Sequence, residues 1–314
     1  MATATQQYID AAAAHWDEDT LAFTTEQLRA IATTVYKRKY HPLKMANGSI
    51  LPIQIEPEYQ FNDTIEFEEY ETLGINALIA DGSGGPMVGT ITRRTTYKNK
   101  LHGNKTSYGY EEINKAMKVG RPLQAQRMEA TRDAYEKYVN QIAWDGDSAA
   151  GLRGVFNSRI RRGIASATID SGSTADEILA MLGNAVTSIV DGTNQTAVPK
   201  RLVMPVPERD YLFQTYRASG SDQTIGAAFL ASQRELGYIE EIIGDNNCKG
   251  KGTNGEDVML VLPNDPSSLY LSIPQDYTVL PEEMKAMETV VHTVGQIIGA
   301  VVLKPGESAI YEGI

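Results

Sequence analysis

This chain of 314 residues holds a single cysteine, Cys248, and four histidines: His15, His41, His102 and His292. One thiol excludes an internal disulfide framework and any multi-cysteine metal site. The histidines are scattered, with no pair at ligand spacing, which argues against a zinc centre. No apolar run is long enough to read as a membrane-spanning helix. The opening stretch, MATATQQYIDAAAAHWDEDT, lacks the basic and apolar blocks of a secretory signal. Basic clusters are scarce too. Outside Lys37-Arg38-Lys39 and Arg159–Arg162 there is no basic block, and the net charge is −11. A protein that reads nucleic-acid sequence carries a basic stripe and a recognisable module, and neither is present.

What is present changes character along the chain. Residues 1–47 read as mostly helical: Thr24-Thr25 precede Glu26-Gln27, and Leu28, Ile31 and Val35 recur at helical spacing. Pro42 ends that stretch, and the basic residues from Lys37 to Lys44 suit a helix C-terminus. From Ile50 to Tyr110 the period becomes two. Ile53, Ile55, Ile65 and Phe67 alternate with polar residues, as in half-buried strands. Asp81-Gly82-Ser83-Gly84-Gly85-Pro86 reads as a hairpin tip, and Val88 to Tyr97 is rich in threonine and β-branched residues. Two long strands with polar side chains on both faces make a poor core alone, so such a ribbon is expected to find its burial against something else, such as another subunit.

A long helix is expected from Pro122 to Trp144, with proline at its first position and no internal glycine or proline. It is a rod on the order of 35 Å. Met128, Tyr135, Val139 and Ile142 form an apolar stripe that Ala130, Ala134 and Tyr138 widen. Asp145-Gly146-Asp147 stops it. Beyond, a strand or hairpin is expected within Arg159–Gly172. Thr174 with Glu177 forms a capping box for a helix reaching about Val190. Leu202–Met204 reads as a strand and Pro207–Arg217 as a helix with Tyr211 and Leu212 inward. Val258–Leu262 and Leu269–Ile273 read as a tight pair of strands around Pro263–Pro266. Val290–Val294 and Ile297–Leu303 resemble a second pair around Gly295-Gln296. The class is α+β, with no regular strand–helix alternation.

Candidate chemistry is thin. The loop Gly244–Thr253 invites comparison with a phosphate-binding loop, but five residues separate Gly244 from Gly250 where four are needed. Gly252 also follows Lys251 where serine or threonine should bind magnesium, and a strand follows where a helix is required. Cys248 with His292 as base is a conceivable nucleophile, yet nothing else resembles a cysteine-enzyme signature. Asp145 and Asp147 lack the oxygen ligands that calcium needs next, because Ala149-Ala150-Gly151 stand there. No catalytic residue, cofactor or metal is expected.

The order of the pieces points elsewhere. Tyr108-Gly109-Tyr110-Glu111-Glu112-Ile113, Asn140-Gln141-Ile142-Ala143, Gly146-Asp147 and Gly151-Leu152-Arg153-Gly154-Val155-Phe156-Asn157 resemble the central signature of tailed-bacteriophage major capsid proteins. Asp257 through Pro274 is similar to that family's last large-domain hairpin, and the tail from Pro305 with Ala309-Ile310-Tyr311 and Gly313-Ile314 to its C-terminus. The resemblance implies the Hong Kong 97-type fold. It places an N-terminal arm at 1–55, an extended loop at 56–107, a peripheral domain at 108–170 and 275–314, and an axial domain at 171–274. It further implies self-assembly into pentamers and hexamers of an icosahedral head, built in the host cytoplasm and enclosing double-stranded DNA without sequence-specific contacts. An acidic subunit suits a container that must not grip a packed polyanion. Portal, scaffold and decoration proteins are expected partners, with a scaffold separate rather than fused, given the short segment before the loop. A membrane is not.

On this reading the intersubunit residues are Gly82, Gly84, Gly85, Met87, Arg93, Arg94, Lys98 and Lys100 of the loop. The spine helix carries Met128, Tyr135, Tyr138, Val139 and Ile142. Some family members cross-link a loop lysine to a neighbour's asparagine. Lys98, Lys100 and Lys105 lie in or near the loop, but no pattern marks the asparagine or an assisting glutamate, and solubility and edge protection account for exposed lysines. Two alternatives stand: an encapsulin-type shell around an enzyme cargo, and a soluble nucleotide-using enzyme built on the 244–253 loop.

Overall fold

The computed structural model of the chain describes residues 42–73, 89–119, 123–218 and 220–314. They fall into two units. The smaller contains helix α1 (Tyr110–Val119) from Glu111 onward, where Glu111 and Lys115 pair at 2.6 Å one turn apart. Everything below concerns the larger unit, formed by residues 43–110 and 124–314.

A five-stranded sheet divides it into two cores. Its order is β5 (Arg161–Ile164), β14 (Ala309–Glu312), β8 (Val258–Pro263), β6 (Pro199–Met204), β7 (Glu241–Gly244). Every residue of β8 is buried. Because strand side chains alternate between faces, Val258, Leu260 and Leu262 join one core while Met259 and Val261 join the other. This is why β8 reads as an unbroken apolar run rather than as an alternating one.

The core holding Met259 and Val261 lies under three helices: α3 (Ala175–Gly192), α4 (Val206–Gln214) and α5 (Ile225–Glu235). The capping box expected at Thr174 is there, with Thr174 Oγ1 accepting from the Glu177 amide and Glu177 accepting from the Thr174 amide at 2.8 Å. Leu212 is buried and Tyr211 half-buried, as expected. Helix α5 was not foreseen. Its signals are local and weak: Thr224 as N-cap, then Ile225 and Phe229 one turn apart on the buried side.

The other core is organised by the spine helix α2 (Leu123–Asp145). Tyr135, Val139, Ile142, Ala143 and Trp144 are buried, Tyr138 and Met128 half-buried. Ala130 and Ala134 are exposed, contrary to expectation, and Thr131 and Asn140 are buried instead. Both find partners: Thr131 Oγ1 donates to the Met128 carbonyl, and Asn140 Oδ1 accepts from the Met45 amide at 3.2 Å.

Against the spine lies a sheet in which β12 (Glu288–Ile297) pairs with β4 (Lys100–Gly109) on one side. On the other it pairs with β10 (Gln275–Val279) and β11 (Glu283–Lys285) in turn. His102 of β4 stacks on Tyr135 at 5.2 Å, with Tyr138 at 4.8 Å. Burial between the rings lowers its pKa. A Cβ on Gly295, opposite His102, would meet Tyr135 at 2.7 Å, so the strand approaches the helix only because that residue is glycine.

Two expected hairpins do not form. β9 (Leu269–Ile273) pairs with β1 (Ile53–Ile55) and β13 (Gly299–Val302), while β8 has β6 and β14 on its two edges. Neither strand has an edge left for the other. The proline-flanked link 263–266 therefore carries the chain from one sheet to the next. Likewise β12 and β13 belong to different sheets, and the switch occurs at Gly299, whose φ of +100° sets it against Arg153. Within Arg159–Gly172 there is one strand, β5, parallel to β14.

Candidate assembly surfaces

A two-stranded ribbon leaves the body on its own. Among the described residues β2 (Thr64–Leu73) and β3 (Gly89–Lys98) pair only with each other, from Thr64↔Lys98 to Leu73↔Gly89. Residues 89–94 are all exposed, so both faces of that strand are bare. Charge is sorted by strand: Glu66, Glu68 and Glu69 stand on β2, Arg93 and Arg94 on β3. Arg94 and Glu68 pair at 2.7 Å, a solvated contact that adds little stability.

Of the residues read from the sequence as intersubunit contacts, Arg93, Arg94, Lys98 and Lys100 are exposed, and Gly82, Gly84, Gly85 and Met87 lie outside the described residues. The segment 100–107, expected within the loop, is strand β4 of the spine-side sheet. Gly103 lets it dock there, since a Cβ would stand 2.3 Å from the Thr293 carbonyl oxygen.

The ribbon is fastened at its root. Ile65 and Tyr97 are buried with Tyr270, Ile298 and Val301 in a third, small core. Tyr97 Oη donates to the Val302 carbonyl and accepts from the Val302 amide, both at 3.0 Å, in effect extending β13. Phe67 meets Tyr97 edge-on at 5.6 Å, and the Arg153 guanidinium lies 4.9 Å above the Tyr97 ring. Below them Tyr270 donates to Glu56 at 3.1 Å, and Ser272 donates to the same carboxylate. Burial first, then the Glu56 charge, pushes the Tyr270 phenol far up, so it remains a donor. Tyr97 and Arg153 were not singled out from sequence as parts of this root. The available signal was the alternation of Ile65 and Phe67 on one strand and an aromatic, Tyr97, ending the threonine-rich strand that places it opposite Ile65.

The spine helix ends in a built turn. Gly146 (φ +68°) returns its amide to the Ile142 carbonyl at 2.9 Å, and the Val155 and Phe156 amides reach the Ala143 and Trp144 carbonyls at 2.9 and 3.0 Å. Carbonyls that a helix end normally leaves open are thereby closed by its own exit chain. Asp147 accepts from the Ala149 and Ala150 amides, and Asn157 Oδ1 accepts from the Gly154 amide at 2.7 Å. These contacts give the glycine–aspartate and glycine–asparagine spacing its physical content.

The 244–253 loop is occupied by its own protein. Asp257 accepts from the Gly250 amide and Glu312 from the Thr253 amide, each at 2.7 Å, and Lys251 pairs with Asp145 at 2.6 Å. Carboxylates stand where a phosphate would need free amides and a free lysine. Cys248 is fully buried, and desolvation raises its thiol pKa well above the usual value, opposite to what a nucleophile needs.

The body has complete cores, whereas residues 89–94 of the ribbon pack on nothing among the described residues. The sequence model of the major capsid protein family matches residues 79–314, and the chain belongs to that family. No curated protein matches it by sequence. Solved structures agree on the fold. The capsid of the Myoviridae phage XM1 superposes with a TM-score of 0.74 at 13% identity, over 90% of this chain and 95% of that one. The capsid of the cyanophage P-SCSP1u gives 0.59 at 12% identity over 90% of each chain. The virus-like particle from Pyrococcus furiosus gives 0.50 at 16% identity, over 86% and 95%. The fold is the Hong Kong 97-type major capsid fold and the protein is a component of a virion shell.

Proposed function

We propose that this chain closes into pentamers and hexamers of an icosahedral phage head that encloses double-stranded DNA. The observation that carries this reading is the ribbon. Residues 89–94 of β3 are bare on both faces, while the root is fixed by Tyr97 to β13. Such an element gains burial by lying across a neighbouring copy, and obligate contacts of that kind bury on the order of 2,000 Å² or more. In this assignment residues 64–98 act as the extended loop. The helices α3 to α5 with their sheet form the axial part that meets around the symmetry axes, and the spine helix with β4 and β12 forms the shell wall. Portal, scaffold and decoration proteins are its expected partners, and the host cytoplasm its place of assembly.

The chain's net charge of −11 fits a wall that does not hold packed DNA tightly. A shell around a protein cargo is the second reading, since the Pyrococcus furiosus particle has the same fold. Electron microscopy and gel filtration of the protein, expressed alone and with the genes beside it, test both. Closed shells with nuclease-protected DNA support the phage head. Shells filled with protein support the second reading, and a monomer under every condition overturns both.

A further inference from the structure

Three arginines and a single glutamate meet at the root of the ribbon. Arg93 of β3, with Arg153 and Arg159 of the chain leaving the spine helix, line a cleft of about 250 Å³ together with Tyr97, Val302 and Leu303. Glu69 lines it too, opposite Arg93 in register, yet among the described residues none of the three guanidiniums forms an ion pair. Several other arginines are ion-paired, Arg94 with Glu68, Arg162 with Glu312 and Arg201 with Glu241, while Arg161 and Arg234 donate to the Ser188 and Glu240 carbonyls. Like charges gathered around apolar surface repel until carboxylates arrive, and guanidinium–carboxylate pairing is strong and directional.

The complementary surface exists on the same chain. The β11–β12 hairpin exposes Glu282, Glu283 and Glu288, with Lys285 paired to Glu283 at 3.3 Å, and among them Met284 and Met287 are 82% and 78% exposed. Carboxylates flanking a flexible apolar side chain mirror guanidiniums flanking an apolar floor. The two surfaces of one molecule cannot meet. β12 runs from this turn for ten residues, about 30 Å, before the four residues of β13 lead to the cleft, and those recover less than half that length.

We propose that the Glu282–Glu288 hairpin of one copy seats in the three-arginine cleft of the next. Met284 enters between Tyr97 and Leu303, and the carboxylates meet Arg93 and Arg159. This rests on the shell reading above. The contact joins two different surfaces, so it is head-to-tail and propagates from copy to copy, as rings and shells require. It also places a neighbour directly over the root that orients the ribbon.

Charge reversal tests it in the full chain. R93E with R159E, or E282R with E288R, each lowers the assembled fraction in sedimentation by roughly tenfold or more, because like charges then face each other. The four changes together restore assembly. Singly reversed proteins that assemble like the parent, or a combined variant that stays as deficient as either half, overturn the proposal while leaving the shell reading intact. A parent protein that never assembles overturns both. Independently of folding yield, R159C with M284C under mild oxidation yields a ladder of covalent multimers, the native Cys248 being buried. Monomers only, from shells that assemble normally, overturn the contact.

Discussion

Gly154 lies face to face with Gly146 where the spine helix ends: a Cβ on Gly154 would stand 2.3 Å from the Gly146 nitrogen and 2.6 Å from the Ile142 and Trp144 carbonyl oxygens. All of those atoms are backbone, so nothing flexible can give way. Gly154→Ala must either open the turn or break the amide–carbonyl bonds from Val155 and Phe156 back to the helix. The expected cost is on the order of 3 kcal/mol, at the upper end for overpacking, read as a lowered midpoint in urea. A variant with parental stability would mean that the exit chain does not sit where described.

Tyr97 joins ribbon to body through one hydroxyl with two backbone partners. Tyr97→Phe keeps the ring against Phe67 and Arg153 but removes both bonds to Val302. Leaving a buried amide and carbonyl unpaired costs about 1–3 kcal/mol. The loss should be local, as faster hydrogen exchange at residues 64–67 and 95–98 with exchange in α3 unchanged. Uniform acceleration across the chain would show instead that the ribbon root is coupled to the whole fold.

The parts of this architecture that local chemistry dictates were legible in the sequence. Thr174 and Glu177 cap a helix whatever surrounds them, and Gly146 ends one. The stripe of Tyr135, Val139 and Ile142 marks a buried face by spacing alone. What was not legible depends on which edges a strand finds free. β8 and β9 read as a hairpin because two apolar runs flank a proline turn, yet each is already paired on both sides by strands distant in sequence. Ala130 and Ala134 fit the helical stripe, but Tyr277 takes the place beside Thr131, and the buried face rotates toward it. The candidate surfaces divide the same way. Arg93 and Arg94 were readable as an exposed ribbon. The gathering of Arg93 with Arg153 and Arg159, 60 or more positions on, is a product of tertiary folding.

Glu312 should set part of the acid limit of the fold. Its carboxylate accepts from the Thr253 amide and pairs with Arg162, and these contacts, the amide first, hold its pKa below the usual 4.5. A depressed folded pKa means that the ionised form is favoured by folding. The stabilisation is therefore complete above pH 4.5 and is lost as pH falls through the lower folded value. Glu312→Gln should lower stability at pH 7 and flatten the decline below pH 4.5, measured as thermal midpoints across that range. An acid limb as steep as the parent's would assign it to other carboxylates.

Glu208 carries the opposite sign. It stands in the first turn of α4 with Oε2 buried and without a hydrogen-bond partner among the described residues. Desolvation first, and the nearby Asp257 charge after it, raises its pKa above 4.5. A raised folded pKa in an acid means that ionisation opposes folding, so the penalty is absent below pH 4.5 and grows as pH rises through the folded value. Glu208→Gln keeps shape and a hydrogen-bonding amide while removing the charge. It should raise the thermal midpoint at pH 7 and change nothing near pH 4. The merging of the two stability curves, parent and variant, toward pH 4 is the diagnostic. A constant offset at all pH values would trace the gain to helix α4 itself, and a loss at pH 7 would show that the Glu208 carboxylate is held by its surroundings rather than strained by them.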